Sequence, residues 1–200
     1  MTVSTTLRDV IGLDGALPAL SASTLIMIDF QNTYRTGVMA LPDADHALDA
    51  AARLLDRARA AGAPVVHVVN DGGEGSPYDI RAEIGRIEAR VAPRDGEPVV
   101  VKNFPDSFHG TDLLEVLRGL DAGPDLVLAG FMTHMCVQFT AQSAFNLGYR
   151  PTVVAEACAT RPLAGPDGAP IPAQALHAAA LTTIGDLFGP VAARVADLPA

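Results

Sequence analysis

The sequence predicts one α/β domain built as a three-layer, doubly wound, mainly parallel sheet, and three observations carry that expectation. Short continuous apolar runs recur along the chain, each with the length of a strand buried on both faces. Segments with apolar residues at helical spacing separate them, the alternation that βαβ units with right-handed crossovers require. The chain has 200 residues, enough to enclose a substantial core in a single domain spanning 1–200, with 1–20 as an N-terminal extension and no internal repeat.

Residues 24–29, Thr-Leu-Ile-Met-Ile-Asp, form the first strand, an apolar run closed by a carboxylate. Apolar and Ala positions then recur at helical spacing from Asp43 to Ala61, with Asp43 available as N-cap after Pro42 and Gly62 as the stop. Pro64 to Asn70 is the second strand, Pro98 to Val101 the third, Asp125 to Gly130 the fourth and Thr152 to Ala155 the fifth. Helical patterns fill 110–120, 135–147 and 173–187. Segments 71–97 and 160–172 are rich in Gly and Pro and fall outside this regularity, which predicts loops or a lid over a site rather than interdomain linkers.

Composition narrows the partners. A formal net charge of −9, with Arg scattered and no basic run, argues against a nucleic-acid surface and for a small-molecule partner. Although 49% of residues are hydrophobic, no uninterrupted apolar stretch has the ~20 residues of a membrane span, so a soluble protein is expected. The first twenty residues lack the pattern of a secretory signal, which predicts a cytoplasmic protein. Two cysteines in different settings do not make a disulfide framework.

In open parallel sheets, ligands bind beyond the carboxyl ends of the strands, so the residues that close each strand matter most. Here they are Asp29, Asn70, Lys102 and Gly130, the last leading into Phe131-Met132-Thr133-His134-Met135-Cys136. Cys136 falls at a predicted helix start, where backbone N–H groups favour a thiolate; a buried, inert cysteine is the alternative. Asp29 reads either as a general base with raised proton affinity or as a turn residue, and Lys102 either as a stabiliser of carboxylate and thiolate or as an ordinary exposed lysine. The convergence of carboxylate, ammonium and thiol on one sheet edge favours a site. Cys158, after the fifth strand, reads as structural, and His67 as a core or sheet-face histidine.

Three segments then resemble the isochorismatase-like cysteine hydrolases over residues 24–190: Ile28-Asp29-Phe30-Gln31-Asn32, the stretch from Val101-Lys102-Asn103-Phe104 to Leu113, and Gly130 to Val137 around Cys136. The resemblance implies a Rossmann-like doubly wound fold and a mechanism in which Asp29 takes the thiol proton, Lys102 holds the thiolate and Cys136 attacks an amide carbonyl to give an acyl-enzyme. It also implies a cis peptide at Phe131–Met132, aiming the backbone N–H groups of Met132 and Cys136 at the developing oxyanion. Nicotinamidase members bind a metal after the second strand; here that region, Asn70-Asp71-Gly72-Gly73-Glu74, has no histidine cluster, which points to no metal and no cofactor.

Within the family the motifs most resemble streptothricin hydrolase-like and lactamase-like members, which implies a small amide or lactam as substrate. Phe30, Tyr34, Phe104, Phe108, His134 and Asn70 would line the pocket with Gln31, while Gln31 and Asn32 read either as orienting the acid or the attacking water or as capping loops beside the strand end. A homodimer or homotetramer is the assembly the resemblance implies. Two other readings stay open from sequence: vinyl ether hydrolysis of the isochorismate type, which would not need Cys136, and a catalytically silent, redox-sensing oligomer.

Overall fold

The computed structural model describes residues 3–200; the first two positions of the expected N-terminal extension lie outside it. A short helix, α1 (Leu7–Val10), precedes the first strand, β1 (Thr24–Ile28). Then follow α2 (Ala44–Ala60), β2 (Val65–Asn70), β3 (Val99–Lys102), α3 (Leu113–Gly119), β4 (Asp125–Phe131), α4 (Gln138–Asn146) and β5 (Arg150–Ala159). A small hairpin of β6 (Leu163–Ala164) and β7 (Pro170–Ile171) leads to α5 (Ala173–Thr183) and β8 (Val191–Ala192).

Six strands form one sheet in the order β3-β2-β1-β4-β5-β8, every pairing parallel. Alternate residues of β1 enter different cores: Leu25 and Met27 pack with Leu48, Leu54 and Leu55 of α2. Ile26 and Ile28 pack on the opposite face with Leu113 and Leu117 of α3 and Ala141 and Ala144 of α4. Helices on both faces leave every residue of β1 buried, which is why it reads as an unbroken apolar run. Among the described residues no helix is long and apolar enough to cross a membrane.

Several boundaries differ from the sequence expectation. Asp43 stands at the start of α2, but its side chain makes no capping hydrogen bond. The helix expected from 110 begins at Leu113, because Gly110 takes a left-handed φ of 67° and Thr111 turns its hydroxyl back to the Ser107 carbonyl. The fifth strand continues past Ala155 to Ala159; the polar Glu156 interrupts the apolar run there, yet its carboxylate accepts from the backbone N–H of Val195. β6, β7 and β8 have two residues each, too few for any periodicity to register.

Segment 71–97 is irregular, as expected, but pinned. Glu97 accepts from Arg59 Nε and Nη2, each at 2.8 Å, and lies 3.0 Å from Nε2 of the buried His67. These partners and the Arg94 N–H outweigh its partial burial and hold its carboxyl down at about 2.

One close approach organises the centre of the sheet. Gly130 has φ of 150°, and a Cβ there would meet the Ile28 carbonyl oxygen at 2.0 Å and the Ile28 side chain at 2.8 Å. Only glycine lets β4 approach β1 at this point. Gly130→Ala is therefore expected to destabilise the protein by about 3 kcal/mol or more, read as a fall in the urea midpoint at unchanged slope.

Candidate active site

In the strand order, β1 connects onward to β2 and β3 on one side, whereas β4 and β5 lie on the other. The crevice between the carboxyl ends of β1 and β4 is thus the point where connections diverge, and a ligand site belongs there. Asp29 follows β1, and Cys136 follows β4 within one wide helical turn over Thr133–Val137 that runs into α4.

The chain turns sharply at Asp29. Its backbone adopts a left-handed φ of 53°, its N–H donates to the Val68 carbonyl at 2.9 Å, and its own carbonyl accepts from the Gln31 N–H at 2.7 Å. This conformation costs roughly 1–2 kcal/mol for a non-glycine residue, with Asp among the better tolerated. Lys102 ends β3, where Val99 and Val101 face outward and Val100 and Lys102 inward. β3 lies two strands from β1, about 10 Å away, a gap that a long side chain covers.

Lys102 and Asp29 are each 0% exposed. Lys102 Nζ lies 2.8 Å from Asp29 Oδ2, donates to Cys136 Sγ at 3.2 Å and donates to the Phe104 carbonyl at 3.1 Å. An ammonium has three N–H donors, and these three partners account for all of them. The sequence-predicted carboxylate, ammonium and thiol are therefore brought into direct contact. Phe104 contributes through its backbone, a role its side chain gave no reason to expect.

Burial raises the Asp29 carboxyl above its ordinary value, opposed by the Lys102 charge beside it. For Lys102 burial works downward, but Asp29 and Cys136 together outweigh it and the net direction is up. The Cys136 thiol is pushed up to about 12 by burial first and the Asp29 charge second, with Lys102 opposing both. The expectation of a thiolate favoured by the helix start is thereby corrected: in the resting cluster, desolvation and a neighbouring carboxylate prevail over backbone dipoles, and sulfur keeps its proton. At neutral pH these directions keep Lys102 an ammonium and Cys136 a thiol, with the Asp29 carboxyl held above its ordinary value.

The other expected site residues are dispersed. Phe30 and Tyr34 are buried, each edge-on to Phe131 at centroid distances of 4.9 and 5.3 Å. Gln31 Nε2 donates to the carbonyls of Asn70 and Gly85 at 2.9 and 2.7 Å, and its Oε1 accepts from the Asn70 N–H at 3.0 Å. Its amide thus ties the end of β2 to the loop at Gly85, using both of its N–H donors. Asn70 closes β2 half-buried, and Phe108 stacks on Tyr149 at 6.2 Å. Phe104, 53% exposed, packs on His109. His134 Nδ1 pairs with the Thr160 hydroxyl, tying the cysteine turn to the segment after β5.

The Phe131–Met132 bond is cis, as the resemblance implied, and Met132 opens the cysteine turn. Cys158 and His67 are buried, as expected of structural residues. Two neighbours were missed. Tyr78 sits edge-on to Tyr34 at 5.8 Å, and its hydroxyl is raised by burial with a smaller contribution from the Asp29 charge; its only signal was an aromatic in a Gly-rich loop. Arg161, after β5, bears on both Tyr78 and His134 and carried no signal of its own. A further signal was available for Lys102: it is the chain's only lysine.

The isochorismatase domain family matches residues 23–194. A secreted isochorismatase effector of Verticillium dahliae is 32% identical, covering 91% of this chain and 93% of its own. A streptothricin hydrolase of Streptomyces noursei is 35% identical over 86% of this chain and 72% of its own, and a maleamate amidohydrolase of Pseudomonas putida is 33% identical over 68% and 72%. A solved isochorismatase of Pseudomonas putida KT2440 superposes with a TM-score of 0.93 at 39% identity, over 98% of this chain and 100% of that one.

The electrostatics predict that titration of the native protein, followed by thiolate absorbance, shows neither Cys136 nor Cys158 ionised at pH 9, since both thiols are pushed up to about 12. One thiolate equivalent at neutral pH would contradict the resting arrangement. In Lys102→Met, the opposing charge is gone, so the Asp29 carboxyl titrates higher than in wild type, as read by carboxyl NMR.

Proposed function

The chain belongs to the isochorismatase family, and from that premise we propose that it is a metal-independent cysteine hydrolase that cleaves the C–N bond of a small amide or lactam through an acyl-enzyme on Cys136. The observation that carries the reading is the buried Lys102 ammonium bridging Asp29 at 2.8 Å and Cys136 at 3.2 Å. A thiol that is neutral at rest needs a base in contact with it, and Asp29 is the one carboxylate so placed. Relatives named for amide hydrolysis support the bond type.

In this reading Asp29 takes the Cys136 proton as sulfur bonds to the carbonyl carbon, and the carbonyl π pair moves to oxygen. The backbone N–H groups of Met132 and Cys136 receive that oxyanion, and Lys102 holds the sulfur while remaining an ammonium throughout. As the C–N bond breaks, Asp29 returns its proton to the departing nitrogen. Water, deprotonated by Asp29, then attacks the thioester and releases the acid, and the proton goes back to sulfur.

The reading is metal-free because Asp29, Lys102 and Cys136 between them supply the base, the cation and the nucleophile that each step needs. It places the protein in the cytoplasm, where a mechanism based on a free thiol keeps its sulfur reduced.

The test is hydrolysis of an amide and lactam panel by wild type and Cys136→Ala with a chelator present. Loss of at least about 10³-fold in kcat/KM for the variant, with no chelator effect, is the expected result. Activity retained by Cys136→Ala would return the assignment to vinyl ether hydrolysis or to another nucleophile.

The pH profile has a stated sign. The base must be ionised, so kcat/KM falls on the acid side as pH drops through the Asp29 value, which lies above 3.8. Lys102 stays charged and Cys136 stays a thiol well past neutrality, so neither adds a limb of its own between neutral and mildly alkaline pH. A thiolate-type profile that climbs through pH 8–9 would rule out Asp29 as the base.

A further inference from the structure

The wide turn that carries Cys136 is tethered by two of its own side chains to elements far away in sequence. Thr133, which opens the turn and is buried, pairs through its hydroxyl with Nδ1 of His177 on α5 at 2.8 Å. The next residue, His134, pairs with the Thr160 hydroxyl beyond β5. His177 and Thr160 also line one cavity of about 320 Å³, together with Asp43, His46 and Gln174. Both tethers thus border open space, and their hold on the turn comes from hydrogen bonding more than from close packing.

His177 is the odd residue on its helix face. Ala173, Leu176, Ala180 and Leu181 share the protected side of α5 with it, and all four are apolar. A leucine at 177 would bury more apolar surface with no polar atom to satisfy, so the imidazole is explained by the hydroxyl it meets. Burial lowers the ring below its ordinary value, with Asp43 opposing, and keeps it neutral at pH 7. A neutral imidazole has one donor and one acceptor nitrogen, and a hydroxyl can meet either.

Thr133 follows Met132 directly, and the Met132 carbonyl accepts from the N–H groups of Met135 and Val137 at 3.0 and 3.3 Å. A displacement of Thr133 therefore passes to the Met132 peptide and to Cys136, whose sulfur lies 3.2 Å from Lys102 Nζ. Misplacing a reacting group by about 1 Å costs on the order of 10²-fold in rate.

We propose that His177 is a positioning residue for C–N cleavage, acting through the Thr133 hydroxyl to hold the cysteine turn, and with it the Cys136 sulfur and the Met132 N–H, in transition-state geometry. The inference rests on the hydrolase reading and adds to it a residue 44 positions from Thr133, outside the cluster of Asp29, Lys102 and Cys136.

The experiment measures kcat and KM on an amide and lactam panel that includes acetamide, benzamide and 2-pyrrolidinone, with thermal melts confirming folding. In Thr133→Val and His177→Leu, kcat is expected to fall about 10²-fold with KM within about threefold of wild type. The double variant is no worse than either single one, because both remove the same contact. Thr133→Ser and His177→Asn, which keep a polar atom at the same place, recover most of kcat. Undiminished kcat in folded His177→Leu, losses that multiply in the double variant, or a change confined to KM overturns the proposal. Should His177→Leu fail to fold, His177→Asn and His177→Gln decide: Asn keeps kcat and Gln, whose amide reaches one bond further, loses it, whereas equal values overturn the proposal.

A second arm separates this inference from the hydrolase reading. If wild type turns over no member of the panel, the hydrolase reading fails, and the tether is read from the iodoacetamide alkylation rate of Cys136, followed by peptide mass spectrometry. A rate changed at least threefold in both Thr133→Val and His177→Leu, and no further in the double variant, leaves the tether standing. An unchanged rate overturns it.

Discussion

The constraint on which the rest depends is a lysine sealed from water. An isolated buried ammonium is untenable, and even a paired one is held only when geometry satisfies every N–H. Lys102 meets that condition with one carboxylate, one sulfur and one carbonyl, drawn from the ends of β1, β4 and β3. Each of those ends is arranged to deliver its partner. Asp29 takes a left-handed turn immediately after its strand, Gly130 gives up its side chain so that β4 can lie against Ile28, and Val100 with Lys102 faces inward while Val99 and Val101 do not. The backbone irregularities of this protein thus collect around one charge.

Much of this was legible in the sequence because burial on both faces writes itself as uninterrupted apolar runs. Leu25 to Ile28 announces its strand in that way, Val65 to Val69 does so around the single His67, and the chemically pointed residue at the end of each run marks the functional edge. What stayed illegible depended on partners distant in sequence. Nothing near Gln31 indicates that its amide will grip Asn70 and Gly85, and the lone aromatic of the Gly-rich loop does not say that Tyr78 will reach Tyr34. The proton on Cys136 was misjudged for a related reason. A helix start is visible locally, whereas the desolvation that outweighs it comes from the assembled core.

The cluster also has a closed proton inventory. Asp29 is fully buried and accepts one proton at a time, so each half-reaction in the proposed cycle must hand back what it took. Such a site suits a leaving group that departs only when protonated, as an amine does. It offers less to one that leaves readily as an anion. Phe30, next to Asp29 in the chain, and Tyr34 each pack edge-on to Phe131 in the buried core beside this turn.

That Lys102 is the chain's only lysine has a spectroscopic consequence. All other side-chain cations that are permanently charged are arginines, so lysine-selective nitrogen labelling places a single Nζ in the whole molecule. Sealed from solvent, that ammonium exchanges its hydrogens slowly enough to be seen, and its one resonance reports on carboxylate and sulfur together. The charge state of the cluster is then readable in the intact protein, without substitution and without assigning anything else.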